Sequence, residues 1–104
     1  MNRIEKILDL LKASPHDNFL RHALALEYIK IGNNAAARNL FEEILTQYPD
    51  YTGSYYQLAK LLERNGNTDL AMQWYKKGME AAKEAVKKTG QRRLKMSAQR
   101  FARV

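Results

Sequence analysis

Residues 30–49 read KIGNNAAARNLFEEILTQYP, and the fold can be worked outward from them. Gly32 takes the left-handed backbone conformation without steric cost, so a helix is expected to close there. Beyond it, Ala37, Leu40, Phe41, Ile44, Leu45 and Tyr48 recur three or four residues apart, which is one face of a second helix. Pro49 has no N–H to donate within a helix and stops this one. The chain therefore turns back on itself at Gly32. Small Ala37 belongs where the two helices approach most closely, and Phe41, one turn later, fills the wider gap.

The helix before Gly32 carries Leu20, Leu24 and Tyr28, with Ile31 three residues on, and either Asp17 or Asn18 can cap its start. The whole pattern then returns. A shift of 34 residues lays Gly32 and Asn33 over Gly66 and Asn67, Leu24 and Ala25 over Leu58 and Ala59, Ala37 over Ala71, Phe41 over Tyr75, Leu45 over Met79, and Pro15 over Pro49. The second unit reads Leu58, Leu61 and Leu62 before Gly66, then Ala71, Trp74, Tyr75, Gly78 and Met79. A fixed period of this size marks stacked supersecondary units, here pairs of antiparallel helices in an all-α fold.

These residues resemble the tetratricopeptide repeat, whose motif is W-x2-L-G-x2-Y, then A-x3-F, then P. The first unit supplies Arg21, Leu24, Ala25, Tyr28, Ala37, Phe41 and Pro49. The second supplies Tyr55, Leu58, Ala59, Leu62, Ala71 and Tyr75, with Lys83 in place of the proline. Arg21 departs from the motif at its aromatic position. The resemblance implies an α-solenoid, a short right-handed superhelix. It divides one domain of 104 residues into an N-terminal half-repeat helix at 1–15, repeats at 18–51 and 52–85, and a basic capping helix at 86–104.

Both ends depart from the full unit. Residues 1–15 align with second helices, Ile7 over Phe41 and Leu11 over Leu45, so the expectation is a chain that begins half-way through a repeat, without the first helix of that pair. Ile4, Ile7, Leu8 and Leu11 form its stripe, and Leu10 lies off centre, facing the missing element. A weak two-fold homodimer through that edge is one expectation. At the other end, the helix from about Asp69 is expected to run to about Thr89 and break at Gly90. A sixth helix follows, with Leu94, Ala98, Phe101 and Ala102 on its apolar side.

Charge is unevenly spread. Residues 1–82 hold ten Lys and Arg against ten Asp and Glu. The net +7 lies entirely in residues 83–104. Lys87, Lys88, Arg92, Arg93, Lys95, Arg100 and Arg103 make a basic patch there, which would be the source of any attraction to nucleic acid or another polyanion. A solvated basic face keeping the end of the stack soluble is the simpler reading. With no cysteine, disulfides and thiolate chemistry are excluded, and a reducing, cytoplasmic compartment is the expectation. No stretch approaches the roughly 20 apolar residues of a membrane span, and Glu5 and Asp9 interrupt the N-terminal apolar pattern that a signal peptide would need.

No catalytic or cofactor-binding constellation stands out. His16 and His22 match no common metal-ligand spacing, adjacent Glu42 and Glu43 point in different directions on a helix, and Gly32 and Gly66 are helix stops rather than a phosphate-binding loop. The expectation is a non-enzymatic adaptor that uses neither cofactor, metal nor small-molecule substrate. Its partner would be another protein. The resemblance implies that first helices line a concave groove holding a peptide or helix of that partner. By position these residues are Phe19, His22, Leu26, Ile29 and Lys30, then Gly53, Tyr56, Lys60, Glu63 and Arg64. The lysine and asparagine clamp with which some family members hold acidic C-terminal tails is not reproduced: His22 and Leu26 stand at two of its positions, Gln57 at a third, and only Lys87 matches. In the run YPDYTGSYY at 48–56, Tyr48, Tyr51 and Tyr55 fall at packing positions, leaving Tyr56 to face the groove.

Overall fold

In the computed structural model, which describes the backbone of residues 2–102 and the side chains of residues 2–90, every element among the described residues is an α-helix. The order is α1 (Arg3–Ala13), α2 (Asn18–Lys30), α3 (Asn34–Gln47), α4 (Thr52–Arg64) and α5 (Thr68–Ala102). Each helix packs mainly on the next: α1 on α2, α2 on α3, α3 on α4, and α4 on α5.

Local chemistry sets the ends. Asn2 accepts from the Glu5 N–H at 2.9 Å, and Asp17, rather than Asn18, accepts from the Leu20 N–H at 3.0 Å, so each helix start satisfies a free donor. Gly32 has φ of +80° and Gly66 +84°. At the first turn the Asn33 N–H donates to the Tyr28 carbonyl at 2.8 Å and the Gly32 N–H to the Ile29 carbonyl at 3.0 Å. The second repeats this, Asn67 to Leu62 at 2.9 Å and Gly66 to Glu63 at 3.1 Å. This pair of bonds is the Schellman closure, and it needs one residue at positive φ. Asn33 also begins the next helix, its side chain accepting from the Ala36 N–H at 3.3 Å.

The core runs through the stack. Ala25, Ala37, Phe41, Leu45, Tyr55, Leu58, Leu61, Leu62 and Ala71 form one buried cluster. Phe41, Leu58 and Leu62 are fully buried, each contributing about 1.5–3 kcal/mol relative to exposure. Gly78 marks a close approach of α4 and α5: a Cβ built there would lie 2.7 Å from Tyr55 Cβ.

Several expectations need correction. Five helices are found among the described residues where six were expected, because α5 passes through Gly90 without a break. A glycine in a helix interior costs only about 1 kcal/mol against alanine, too little to end a helix that meets no proline. Tyr75, the counterpart of fully buried Phe41, is only half-buried, because no further unit covers it among the described residues. Leu8, expected in the α1 stripe, is 41% exposed, while Ile7 carries the buried contact.

The long helix also sets the shape. At about 1.5 Å per residue, 35 residues reach ~52 Å. The molecule measures 59 × 37 × 18 Å, with a radius of gyration of 17.7 Å against the roughly 13 Å of a compact globule this size.

Candidate interaction groove

First helices α2 and α4 line a recess of about 320 Å³, and α1 closes one side of it. Its apolar part is Ala23, Leu26, Ile29 and Leu61; its polar part is Arg3, Glu27, Lys30, Gln57, Lys60 and Arg64. Leu26 and Ile29 also pack on the core, so the floor is held by the stack and not by a loop.

The recess wall is cationic, four basic side chains to one carboxylate. Glu27, whose side chain is 14% exposed, sits 3.1 Å from both Arg3 Nε and Lys30 Nζ. Lys60 holds its ammonium 5.2 Å from the centre of the Tyr56 ring, a cation–π contact that leaves the charge available. Arg64 completes the rim. Such a site suits a segment that brings apolar side chains to the floor and carboxylates to the rim.

Of the groove residues expected from the sequence, Leu26, Ile29, Lys30, Lys60 and Arg64 come together in this recess. The others lie elsewhere. Phe19 is 74% exposed near the start of α2. His22 turns inward, its Nδ1 2.9 Å from Ser54 Oγ and its ring edge-on to Phe41 and Tyr51 at 5.5 and 5.8 Å between centroids. Partial burial holds its pKa below the ordinary 6.5. Tyr56 is 54% exposed and tilts against Tyr75 at 6.1 Å. Glu63 accepts from the Tyr75 hydroxyl at 2.9 Å, and Gly53 is exposed at the start of α4.

Five lining residues were missed. Ala23 and Glu27 share the helix face of Leu26 and Lys30 at spacings of three and four, and the 34-residue shift carries them to Gln57 and Leu61, so helical spacing together with the repeat register would have found four of them. Arg3 had no such signal. It enters through its ion pair with Glu27, a contact between α1 and α2.

Arg21, standing at the aromatic position of the motif, is 5% exposed. Its Nη2 donates to Asn18 Oδ1 at 2.7 Å and Gln47 Oε1 at 3.0 Å, and its guanidinium lies 6.0 Å from the centre of the Tyr48 ring. The aliphatic stem replaces part of the packing that an aromatic would give. The charged head ends beside the last residue of α3, where the helix dipole favours a cation.

A larger recess of about 530 Å³ lies between the turn at Pro49 and Asp50, Tyr55, and the overhang of α5. Asp50, Glu80 and Glu84 oppose Lys77 and Lys88 around it, and it shares none of the expected groove residues. In the basic patch, Lys87 and Lys88 are exposed on α5. Arg92, Arg93, Lys95 and Arg100 belong to the same helix, with side chains outside the described residues, and Arg103 lies outside the described residues altogether. Among the described residues no three His, Cys, Asp or Glu side chains group as metal ligands, and no helix is long and apolar enough to cross a membrane.

The model of the tetratricopeptide repeat matches residues 22–87. Among solved structures, the crystal structure of a tetratricopeptide repeat domain protein from Salinibacter ruber is 48% identical over 65% of this chain and 76% of that one, with a TM-score of 0.63. A solution structure of a tetratricopeptide repeat domain protein from the same organism is also 48% identical, over 67% and 71%, at 0.65. The crystal structure of MamA is 20% identical over 81% of this chain and 49% of that one, at 0.76, a likeness of fold. Comparison with curated protein sequences finds no match.

Proposed function

The chain belongs to the tetratricopeptide repeat family, and on that premise we propose that it is a non-catalytic adaptor holding an acidic, amphipathic segment of another protein in the α2–α4 groove. The family's fold is that of a protein-interaction module. The observation that carries the finer reading is the recess itself: an apolar floor of Leu26, Ile29 and Leu61 beneath Arg3, Lys30, Lys60 and Arg64, with Glu27 the one carboxylate among the lining residues. Complementary charge speeds encounter and selects among partners, while the floor supplies the contact area.

Selection of a displayed random-peptide library on the full chain tests this. Enriched peptides should combine Asp or Glu with Leu, Ile or aromatic residues. The double variant Lys60→Glu with Arg64→Glu should lose that enrichment while melting like wild type. An unchanged peptide set on the double variant would place binding elsewhere.

A further inference from the structure

The four cations of the α2–α4 groove are not equivalent. Arg3 and Lys30 both lie 3.1 Å from the same oxygen of Glu27, Oε1. Their side chains are 74% and 65% exposed, whereas that of Glu27 is 14% exposed. The carboxylate is therefore the fixed member of the cluster, and the two cations are the ones with room to swing into solvent. Across the recess, Lys60 and Arg64 form no ion pair among the described residues. The Tyr56 ring, 5.2 Å from the Lys60 ammonium, steadies that side chain, and the nearby carboxylate of α4, Glu63, accepts from the Tyr75 hydroxyl. The α1–α2 wall thus sums to one positive charge with a carboxylate set into it, and the α4 wall to two with no carboxylate among the lining residues.

Resting on the adaptor reading, we infer that Glu27 is a specificity-determining residue of this groove: it turns the carboxylates of the partner segment away from α2 and leaves Lys60 and Arg64 on α4 to receive them. A ligand carboxylate near Arg3 or Lys30 would share their charge with Glu27 and stand close to a like charge that cannot withdraw. Such like-charge juxtaposition at an interface is strongly unfavourable and rejects wrong partners. The α4 wall holds no such competitor. Lys60 and Arg64 lie one turn apart, about 6 Å along the helix axis. The acids that meet both are therefore four residues apart in a helical segment or two apart in an extended one, a span of roughly 6.6 Å. The apolar residues of the segment then fall on Leu26, Ile29 and Leu61. The partner that fits is an amphipathic segment with its acids in one row, along the edge that meets α4, and not on both edges.

Two substitutions remove the same ion pair and change the wall in opposite senses. Glu27→Gln frees Arg3 and Lys30 and raises the wall by one charge; Arg3→Met lowers it by one and leaves Glu27 to Lys30. Both variants should melt close to wild type, since the Arg3 side of the pair is mostly exposed. In selections from a displayed random-peptide library on the full chain, wild type should enrich peptides whose acids are paired at one of the two spacings. The mean number of Asp and Glu per enriched peptide should rise by about one on Glu27→Gln and fall on Arg3→Met. A synthetic peptide enriched only on Glu27→Gln should bind wild type roughly tenfold more weakly than the variant in calorimetric titration. If Glu27 acts only as a tie between α1 and α2, both variants shift the acidic content in the same direction, and that result overturns the inference. Acidic peptides enriched alike on all three proteins overturn it alone, whereas no enrichment on any of them overturns the adaptor reading with it.

Discussion

Single side chains decide how closely the helices approach. Ala71 is 1% exposed and belongs to the core cluster. Ala71→Leu should cost about 1–3 kcal/mol through overpacking, read as a lower midpoint in denaturant unfolding with an unchanged slope. Gly78→Ala should cost a similar amount, because the added carbon would lie 2.7 Å from Tyr55 Cβ and a helix must move to admit it. His22 ties stability to pH. Burial lowers its pKa in the folded chain below the ordinary 6.5. Acidification from 6.5 therefore protonates the unfolded state first, so stability falls as pH drops through this window and levels off below the folded pKa. His22→Gln should flatten the part of the pH 7 to pH 5 stability profile that this residue causes, measured by thermal melts at matched ionic strength. Loss of the Ser54 contact lowers the whole curve without restoring the slope, so the two effects separate.

Helix boundaries are mostly local. The two Schellman closures demand positive φ, and a side chain at such a position costs about 1–2 kcal/mol. Gly66→Ala should therefore destabilise by roughly that amount, although nothing lies within 4 Å of the new carbon. That combination separates backbone strain from crowding, since Gly78→Ala is crowded and Gly66→Ala is not. Asp17→Ala should cost about 1 kcal/mol by removing the acceptor for the Leu20 N–H. These features were legible in the chain because glycine, proline and capping side chains act on their nearest neighbours. The extent of α5 was not. Gly90 carries a propensity of about 1 kcal/mol against helix, and the same residue type that closes α2 and α4 is simply carried along in α5.

For the whole molecule, the groove depends on α1, α2 and α4 being held side by side. Arg3 reaches Glu27 only because α1 packs on α2. Charge reversal at Lys60 and Arg64 should leave the melting temperature within about 1–2 °C of wild type, since Arg64 is exposed, Lys60 half-buried, and neither forms an ion pair among the described residues. Any peptide held by these cations should bind more weakly as salt rises from 50 to 300 mM, as screening shortens the reach of the rim. Calorimetric titration at the two salt concentrations checks this, and a salt-independent affinity would assign the binding energy to the apolar floor alone.

The 34-residue shift, the two glycines and the Ala-to-aromatic spacing determined by themselves that this chain is a stack of helix pairs. Each is a local or periodic signal that survives without coordinates. Tertiary structure alone decided that His22 turns inward to Ser54, that buried Arg21 stands in for an aromatic, and that Arg3 joins the groove through Glu27. It also decided that Tyr75 is only half-buried and Met79 exposed where Phe41 and Leu45 are buried. Those outcomes depend on which neighbour lies across a helix interface. A period in the sequence carries the register of such neighbours but not whether one is present.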